Sequence, residues 1–183
     1  MNIKLPLLSV IILSYNKPHF LKKCLDSLYN YHKNFRFEVI IVDNNSSDMN
    51  VDIIERDYPQ VKLIKNNQNV GFAKANNLGA KFSKAELLAF INSDVEFTSN
   101  IFGEILAHIE NINFGLVGIQ LLNSDGSLQK SYYKFPSFLQ RILVLTNLNR
   151  FLKPGSFWLK FYTKNSIQSK LKKVQSVRGA FML

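Results

Sequence analysis

The sequence predicts an α/β protein in which helices flank a mixed sheet of mainly parallel strands, and three observations support that class. The chain has 183 residues, of which 46% are hydrophobic, and this is enough to bury one core. Apolar runs rich in β-branched residues alternate with segments of helical periodicity, which is the pattern of strand-helix-strand units. The apolar runs contain few polar residues, as in parallel strands that helices cover on both faces.

Five apolar runs are predicted to be strands, and three helices are predicted between them. The first helix is the best defined, because its apolar residues fall on one stripe and Pro18 suits a first helical turn. A fourth helix is expected to start near Thr98. The predicted strands are 7–13, 37–43, 61–65, 86–92 and 115–121, and the predicted helices are 18–31, 51–58 and 72–82.

The chain beyond residue 125 differs from the rest in charge and pattern. Residues 1–125 contain 12 basic and 13 acidic residues, whereas residues 126–183 contain 11 basic residues and no acidic one. The later part is also rich in aromatic residues, and its periodicity is weaker: 129–135 and 172–183 are predicted strands and 138–148 a short helix. We therefore treat 1–125 as the core domain and 126–183 as a distinct basic, aromatic region.

The composition argues against several classes of protein. A single cysteine, Cys24, cannot form an internal disulfide, and the histidines have no cysteine or carboxylate partner at zinc-ligand spacing. The apolar start lacks a secretory cleavage site, and no run reaches the roughly 18–20 apolar residues of a membrane span. No Gly-x-Gly-x-x-Gly motif follows the first strand, which disfavours a dehydrogenase. We expect a cytoplasmic protein, either soluble or peripheral at the inner face of the membrane.

Polar residues concentrate directly after four of the predicted strands. In an open parallel sheet, ligands bind beyond the carboxyl ends of the strands, so we expect these loops to meet at one edge and form the site. The clusters are Ser14-Tyr15-Asn16, Asp43-Asn44-Asn45-Ser46-Ser47-Asp48, Asn66-Asn67-Gln68-Asn69-Val70-Gly71 and Asn92-Ser93-Asp94.

Asp43 and Tyr15 are candidates for contact with a nucleoside. Asp43 ends the second strand, where its carboxylate would accept hydrogen bonds from a base N–H or a ribose hydroxyl. Considered alone, an Asx-turn is the more common role for such an aspartate. The Tyr15 ring offers a face to a nucleobase, and the alternative is an ordinary aromatic side chain at a strand end.

Asp94, Gly71 and Asn76 are candidates for contact with a diphosphate and its metal ion. One or two protein carboxylates usually suffice to hold such an ion against a diphosphate, and Asp94 follows the fourth strand. The alternative is that Asp94 only favours the turn into the next helix. Gly71 permits a positive φ before a helix whose first N–H groups suit an anion, and Asn76 lies in that helix. A plain turn followed by a surface helix is the alternative there.

Four segments together resemble the opening of family 2 glycosyltransferases, particularly the rhamnosyltransferase-like branch. They are SVIILSYNKPHFLKKCLDSL, FEVIIVDNNSSD, NNQNVGFAKANNLGA and LLAFINSDVEF, and they extend over about residues 7–97. Beyond them the resemblance is weaker, and VRGAFML is similar to the segment that precedes the family's acceptor site. The resemblance implies a GT-A fold, which is a Rossmann-like nucleotide-binding fold with a parallel-rich mixed sheet.

By this resemblance the site would bind a UDP- or dTDP-sugar, and Mg²⁺ or Mn²⁺ would be the cofactor. Asp94 takes the last position of the family's Asp-x-Asp motif, whose first carboxylate is replaced here by Asn92. The family's base lies in a Glu-Asp pair some tens of residues beyond the position of Leu183, so we expect no catalytic residue in this chain. The expected donor-binding residues are Ser14, Tyr15, Asn16, Asp43, Asn45, Gly71, Asn76 and Asn92, and the expected metal ligand is Asp94.

The activity implied is inverting transfer of a sugar to a glycan or lipid-linked acceptor, in the synthesis of a bacterial cell-surface polysaccharide. Region 126–183 would be the incomplete start of the acceptor side, and its basic and aromatic residues suit contact with an anionic membrane. A solvated basic face over core aromatics is the alternative. Nucleic acid is not an expected partner. A different class also stays open, namely a homologue without catalysis that only binds a nucleotide sugar, a membrane or a protein.

Overall fold

The computed structural model describes residues 6–47, 51–109, 115–129, 131–133, 135, 138, 145–146 and 172–183. Helices and strands alternate through the first half of these residues. In chain order the elements are β1 (Leu8–Ser14), α1 (Pro18–Tyr31), β2 (Phe37–Asp43), α2 (Val51–Asp57), β3 (Lys62–Lys65), α3 (Phe72–Lys81), β4 (Leu87–Asn92), α4 (Ile101–Ile109), β5 (Tyr132–Tyr133), β6 (Ser176–Val177) and β7 (Phe181–Met182).

The main sheet contains five strands in the order β3-β2-β1-β4-β7. β1 pairs in parallel with both β2 and β4, and β2 pairs in parallel with β3. β7 is antiparallel to β4 and makes the sheet mixed. A parallel pair needs a crossover connection, and α1, α2 and α3 lie in the connections between the four parallel strands. The predicted α/β class, with a parallel-rich mixed sheet flanked by helices, is confirmed.

The core lies at the two central strands. Leu8, Val10, Ile11 and Ile12 are buried in β1, and residues 39–42 are all buried in β2. Burial of successive residues means that both faces of the sheet are covered, which explains why these strands are nearly continuous apolar runs. Full burial of each such side chain contributes about 1.5–3 kcal/mol relative to exposure.

Helix α3 packs closely on the two central strands at Gly79. A methyl group built on Gly79 would lie 2.6 Å from Cγ2 of Ile11 and 3.1 Å from Cγ2 of Val42. Only glycine permits this distance without a shift of the neighbouring side chains. Ala75 is buried on the same helix, one turn earlier. This contact fixes α3 over the sheet and therefore also fixes the loop that precedes α3.

His32 lies in a cluster of aromatic rings after α1. Its ring centroid is 4.1 Å from that of Phe102 and 5.0 Å from that of Phe97, and Phe181 of β7 packs on both phenylalanines at 6.4 and 5.8 Å. His32 Nδ1 is 2.8 Å from the Leu28 carbonyl oxygen. Burial lowers the pKa of His32, and the hydrogen bond to Leu28 acts in the opposite direction. The role of this histidine is therefore structural.

The strand predicted at 115–121 is not formed. Instead, Val117 exchanges two backbone hydrogen bonds with Leu183, at 2.6 and 2.8 Å, and Leu122 makes an isolated bridge with Leu128. The run contains two glycines, which weaken a strand. Its partner at the sheet edge, β7, is only two residues long, so there is no ladder for a longer strand to join.

The chain divides into two compact units, one comprising Met1–Val117 with Gly179–Leu183 and the other Gly118–Arg178. In the second unit β5 and β6 form an antiparallel pair. The strands predicted at 129–135 and 172–183 are present only as short pieces. Range 129–135 contains β5, and range 172–183 contains β6 and β7. The helix predicted at 138–148 lies largely outside the described residues.

We predict that Gly79→Ala lowers the free energy of unfolding by about 1–2 kcal/mol, because the added methyl group overlaps Ile11 and overpacking of a core typically costs this much. Urea unfolding at equilibrium measures the change. The matched control is Gly103→Ala in α4, where the methyl group would find Asn100 at an ordinary 3.5 Å. That variant should be more stable by about 0.5–1 kcal/mol, since alanine is the better helix former. Equal effects of the two substitutions would contradict the prediction.

Candidate functional site

The carboxyl ends of neighbouring strands are level with one another at one edge of the sheet. Ser14 of β1 is in register with Asp43 of β2, and Leu13 is in register with Asn92 of β4. Asp43 is in turn in register with Lys65 at the end of β3. Because neighbouring strands lie only about 4.8 Å apart, the loops that follow them share this edge. The structure thus brings together the polar clusters that the sequence places after the strands.

Asn16 joins the loop after β1 to the loop after β2. Its backbone N–H donates to Ser46 Oγ at 2.9 Å, and its Oδ1 accepts a hydrogen bond from the Ser47 N–H at 2.9 Å. Asn16 and Asn45 have φ angles of 50° and 68°, in the left-handed region that asparagine adopts more readily than most residues. Both residues therefore shape the loops, Asn16 through hydrogen bonds and the exposed Asn45 through its backbone.

Asp43 is almost completely buried, with 5% of its surface exposed. Its Oδ1 and Oδ2 accept hydrogen bonds from the Ser46 N–H at 3.2 and 3.3 Å, and Oδ1 also accepts one from the Ser46 hydroxyl. This is the turn-forming role that the sequence leaves open as an alternative. A carboxylate has about four acceptor positions, so this turn does not use all of them. Asp43 both holds the loop and retains capacity to accept a further hydrogen bond.

Ser14 and Tyr15 stand next to each other at the end of β1 but differ in exposure. Ser14 is buried, and its hydroxyl has no hydrogen-bond partner among the described residues. A buried polar group in that state costs about 1–3 kcal/mol. Tyr15 is 47% exposed. The end of β1 therefore carries an unpaired hydroxyl followed by an exposed aromatic ring.

Asn44 connects the loops after β2 and β3, although it is absent from the predicted donor-binding residues. Its Oδ1 accepts hydrogen bonds from Asn66 Nδ2 at 3.1 Å and from the Val70 N–H at 3.0 Å, and its Nδ2 donates to Asn69 Oδ1 at 2.7 Å. Its backbone N–H donates to the Ser14 carbonyl at 2.9 Å. The signal in the sequence is the density of asparagines in the two loops, since amide side chains can pair donor with acceptor.

Gly71 precedes α3 with a φ of 82°. A methyl group built on it would meet nothing within 4 Å, so the backbone conformation, and not the space, requires glycine. The Gly71 N–H donates to Asn69 Oδ1 at 3.0 Å, and none of the described side chains caps the helix. Asn76 is buried in α3, where its Nδ2 donates to the Phe72 carbonyl at 3.0 Å. The amide of Asn76 is thus used within the helix.

Asp94 lies in the turn after β4 and is exposed. Its carboxylate makes no hydrogen bond or ion pair with the residues that the structure describes, whereas Glu96 lies 3.7 Å from Lys23. The start of the turn is tied to the segment before β7, because the Asn92 N–H donates to the Ala180 carbonyl at 3.0 Å. Asp94 therefore keeps its carboxylate oxygens available on a fixed backbone.

The charge of this turn acts on Cys24 in α1. Burial raises the pKa of the Cys24 thiol to about 12, and the negative charges of Asp94 and Glu96 add to the effect. A thiol in this state stays protonated at neutral pH and is not a nucleophile. Cys24 thus belongs to the core, as its position on the apolar stripe of α1 predicts.

A metal ion would depend on few protein ligands here. Within the described ranges, no group of three or more His, Cys, Asp or Glu side chains is placed to hold one. An exposed, unpaired carboxylate such as Asp94 instead fits an ion that is held by one protein ligand and by the phosphate oxygens of a diphosphate ligand. Asn92, two residues earlier, carries no charge and supplies at most an amide oxygen.

Known protein sequences resemble this chain over most of its length. Residues 9–181 match the profile of the family described as Glycosyl transferase family 2. An uncharacterized glycosyltransferase from Haemophilus influenzae is 38% identical over 112 residues, which is 59% of this chain and 37% of that protein. The O-antigen biosynthesis protein RfbC from Myxococcus xanthus is 28% identical over 127 residues, which is 68% of this chain and 10% of that protein.

Solved structures show the same fold. TarS 1-349 from S. aureus, in complex with UDP-GlcNAc, has a TM-score of 0.58 at 26% identity and covers 67% of this chain and 37% of its own. The mannosyltransferase PcManGT from Pyrobaculum calidifontis, in complex with GDP-Man and Mn²⁺, has a TM-score of 0.57 at 19% identity. The match covers 66% of this chain and 37% of that one, and at this identity it shows the fold alone. The chain thus spans 37% or less of each of these four relatives. The GT-A fold is confirmed, and the match over residues 9–181 shows that the chain belongs to glycosyl transferase family 2.

Proposed function

We propose that this chain binds the nucleotide-sugar donor of a glycosyltransferase, and that the whole protein transfers the sugar of a UDP- or dTDP-sugar to a glycan or lipid-linked acceptor. The observation that carries the proposal is the common sheet edge at which Ser14 ends β1, Asp43 ends β2 and Asp94 follows β4. Membership of the family supports it, as does the likeness to TarS, solved with UDP-GlcNAc. The likeness to an O-antigen biosynthesis protein supports a polysaccharide product.

The nucleoside is assigned to the loops after β1 and β2. Asp43 accepts hydrogen bonds from a base N–H or a ribose hydroxyl, using the acceptor positions that Ser46 leaves unused. Tyr15 packs its exposed ring against the base. Because Asp43 is buried and already held by its turn, little conformational freedom is lost when a ligand binds, and this favours affinity.

The diphosphate is assigned to the turn after β4, together with Mg²⁺ or Mn²⁺ at Asp94. One carboxylate is sufficient when the ligand's own phosphates supply further oxygens, and Asp94 is exposed and unpaired within the described part of the chain. When bound, the cation would offset the charge of the diphosphate. The first turn of α3, which follows Gly71 and has no side-chain cap, adds N–H groups that favour an anion.

Transfer is proposed to invert the anomeric centre by direct displacement. In such a reaction a carboxylate base takes the proton of the acceptor hydroxyl, the acceptor oxygen bonds to the anomeric carbon, and the bond from that carbon to the diphosphate breaks, which releases the nucleoside diphosphate. The contribution of this chain is to hold the nucleoside at Asp43 and Tyr15, so that the anomeric carbon is presented to the acceptor. No residue of this chain is assigned to the base.

Calorimetric titration of UDP and dTDP, each with and without Mn²⁺, tests the donor site. Asp43→Asn removes a charged acceptor, and hydrogen bonds to charged groups contribute about 1.5–3 kcal/mol, so it should weaken nucleotide binding about 10- to 100-fold. Asp94→Ala should abolish the difference between titrations with and without Mn²⁺. The control is Glu104→Ala, an exposed acid on α4, which should leave both quantities unchanged.

The outcomes of this titration separate the parts of the proposal. Failure of the wild-type chain to bind either nucleotide would refute the donor site. Binding that Asp94→Ala leaves equally dependent on Mn²⁺ would refute only the metal assignment. Nucleotide binding by a protein that transfers no sugar to any acceptor would favour a homologue that only binds the donor.

Asn44→Ala should weaken nucleotide binding by loosening the loops that hold Asp43 and Gly71. It should also lower the free energy of unfolding by about 1–3 kcal/mol, because it removes three hydrogen bonds of the buried Asn44 side chain, each of which typically contributes about 0.5–1.5 kcal/mol. Urea unfolding and the same titration measure the two effects. The matched control is Asn67→Ala, an exposed asparagine of the next loop without a side-chain hydrogen bond among the described residues. If both variants behave alike, Asn44 does not position the loops.

Peripheral contact with an anionic membrane is proposed for region 126–183, which has 11 basic residues and no acidic one. Each basic residue near such a surface contributes about 1 kcal/mol. None of the described helices is both long and apolar enough to cross a bilayer.

Flotation with vesicles tests this contact. The wild-type chain should float with phosphatidylserine vesicles and not with phosphatidylcholine vesicles, and the double variant Lys172→Glu/Lys173→Glu should float less. The control, Lys33→Glu/Lys84→Glu, changes the net charge equally at exposed lysines of the first unit and should float like the wild type. Equal loss in both variants would mean that net charge, and not this region, drives binding.

A further inference from the structure

Phe72 is an exposed aromatic residue that the assignments above leave unused. It is the first residue of α3, and 48% of its surface is exposed, which is nearly the fraction found for Tyr15. A single exposed apolar side chain is ordinary on a protein surface. Exposure alone therefore does not indicate a binding role for Phe72, whereas its position relative to the site does.

The ring of Phe72 lies against the segment that precedes β7. A methyl group built on Gly179 would be 3.7 Å from both Cε1 and Cζ of Phe72, so the ring edge lies beside the open side of this glycine. The next residue, Ala180, accepts the backbone hydrogen bond of Asn92 at 3.0 Å. Asn92 begins the turn that carries Asp94. The ring is therefore connected to the Asp94 turn through one short segment.

The backbone that carries the ring is held from two sides. The Phe72 carbonyl accepts a hydrogen bond from Asn76 Nδ2 at 3.0 Å, and the Ala75 N–H donates to the Gly71 carbonyl at 3.2 Å. One turn beyond, the close contact of Gly79 fixes the helix on the sheet. Phe72 thus presents a ring on a rigid element, which suits a residue that contacts a ligand.

The order of the strands indicates which part of an extended ligand would lie next to the Phe72 ring. Across the edge the order is β2, β1, β4 and β7, with Asp43 at the end of β2, Tyr15 after β1, Asp94 after β4 and Gly179 before β7. Three steps between strands span about 14 Å. With the nucleoside at Asp43 and Tyr15 and the diphosphate at Asp94, the sugar falls on the side of β7, where the Phe72 ring lies beside Gly179.

We propose that Phe72 is a specificity-determining residue that packs against the C–H face of the hexose in the donor, an inference that rests on the proposed donor site. A pyranose ring has a face on which several C–H groups form an apolar patch, and an aromatic ring offers it a flat, rigid apolar surface with a negative face. Phe72 then contributes to the binding of the sugar and not to that of the nucleotide. Sugars whose hydroxyl groups interrupt this face bind less tightly.

The test compares a nucleotide with its sugar conjugate. UDP, UDP-GlcNAc, dTDP and dTDP-glucose are titrated into the wild-type chain and into Phe72→Ala, Phe72→Tyr and Phe82→Ala. The last variant is the matched control, an exposed phenylalanine directly after the other end of the same helix. Phe72→Ala should weaken the nucleotide sugar that the wild type prefers about three- to tenfold, with the free nucleotide changed less than about twofold. Phe72→Tyr should restore the affinity.

Two results would overturn the assignment of Phe72 while the donor site stands. One is equal weakening of nucleotide and nucleotide sugar by Phe72→Ala, which would assign the ring to the fold or the nucleoside. The other is no change in either. Failure of the wild type to bind any of the four compounds would refute the proposed function itself and this assignment with it. Thermal unfolding of each variant distinguishes a lost contact from a damaged fold.

Discussion

The parallel pairing of β1 with both β2 and β4 is the constraint on which the rest of the structure depends. It places Ser14 opposite Asp43 and Leu13 opposite Asn92, so the loops that carry the polar residues begin at the same level. A slip of one residue would turn every side chain of a strand to the other face, and the contact of Gly79 with both central strands opposes it. Core packing thus sets the level at which the loops of the site begin, and the hydrogen bonds of Asn16, Asp43 and Asn44 then hold the loops.

The elements that the sequence predicts well are those whose stability is local or depends on a continuous apolar run. The helix at 18–31 and the strand at 37–43 are found with the predicted bounds, because Pro18 marks the start of one and a dense β-branched run defines the other. The pieces at the end of the chain are different. β5, β6 and β7 have two residues each and exist only through pairing with partners far away in the sequence. No window of the sequence contains that information, and the apolar run at 115–121 therefore suggested a strand that is not formed.

The same distinction applies to the site. That Asp43 and Asp94 lie at the carboxyl edge follows from the ends of predictable strands. The role of Asn44 does not, because its side chain bonds to three residues of another loop, and the sequence does not show which of two adjacent asparagines is buried. The buried Asn44 makes the connection and the exposed Asn45 supplies only a turn. Tertiary contact, and not residue type, separates their roles.

In the proposed donor site, the two carboxylates of Asp43 and Asp94 suit opposite ends of one ligand. Asp43 is buried and its loop is already closed by Ser46, so it can accept a hydrogen bond from a neutral donor group without any rearrangement. Asp94 is exposed and unpaired within the described residues, and such a charge repels a diphosphate unless a cation lies between them. The two residues therefore cannot exchange roles. Since Asp43 ends β2 and Asp94 follows β4, with β1 between them, the order of the strands fixes the direction in which a nucleotide sugar would lie across the edge.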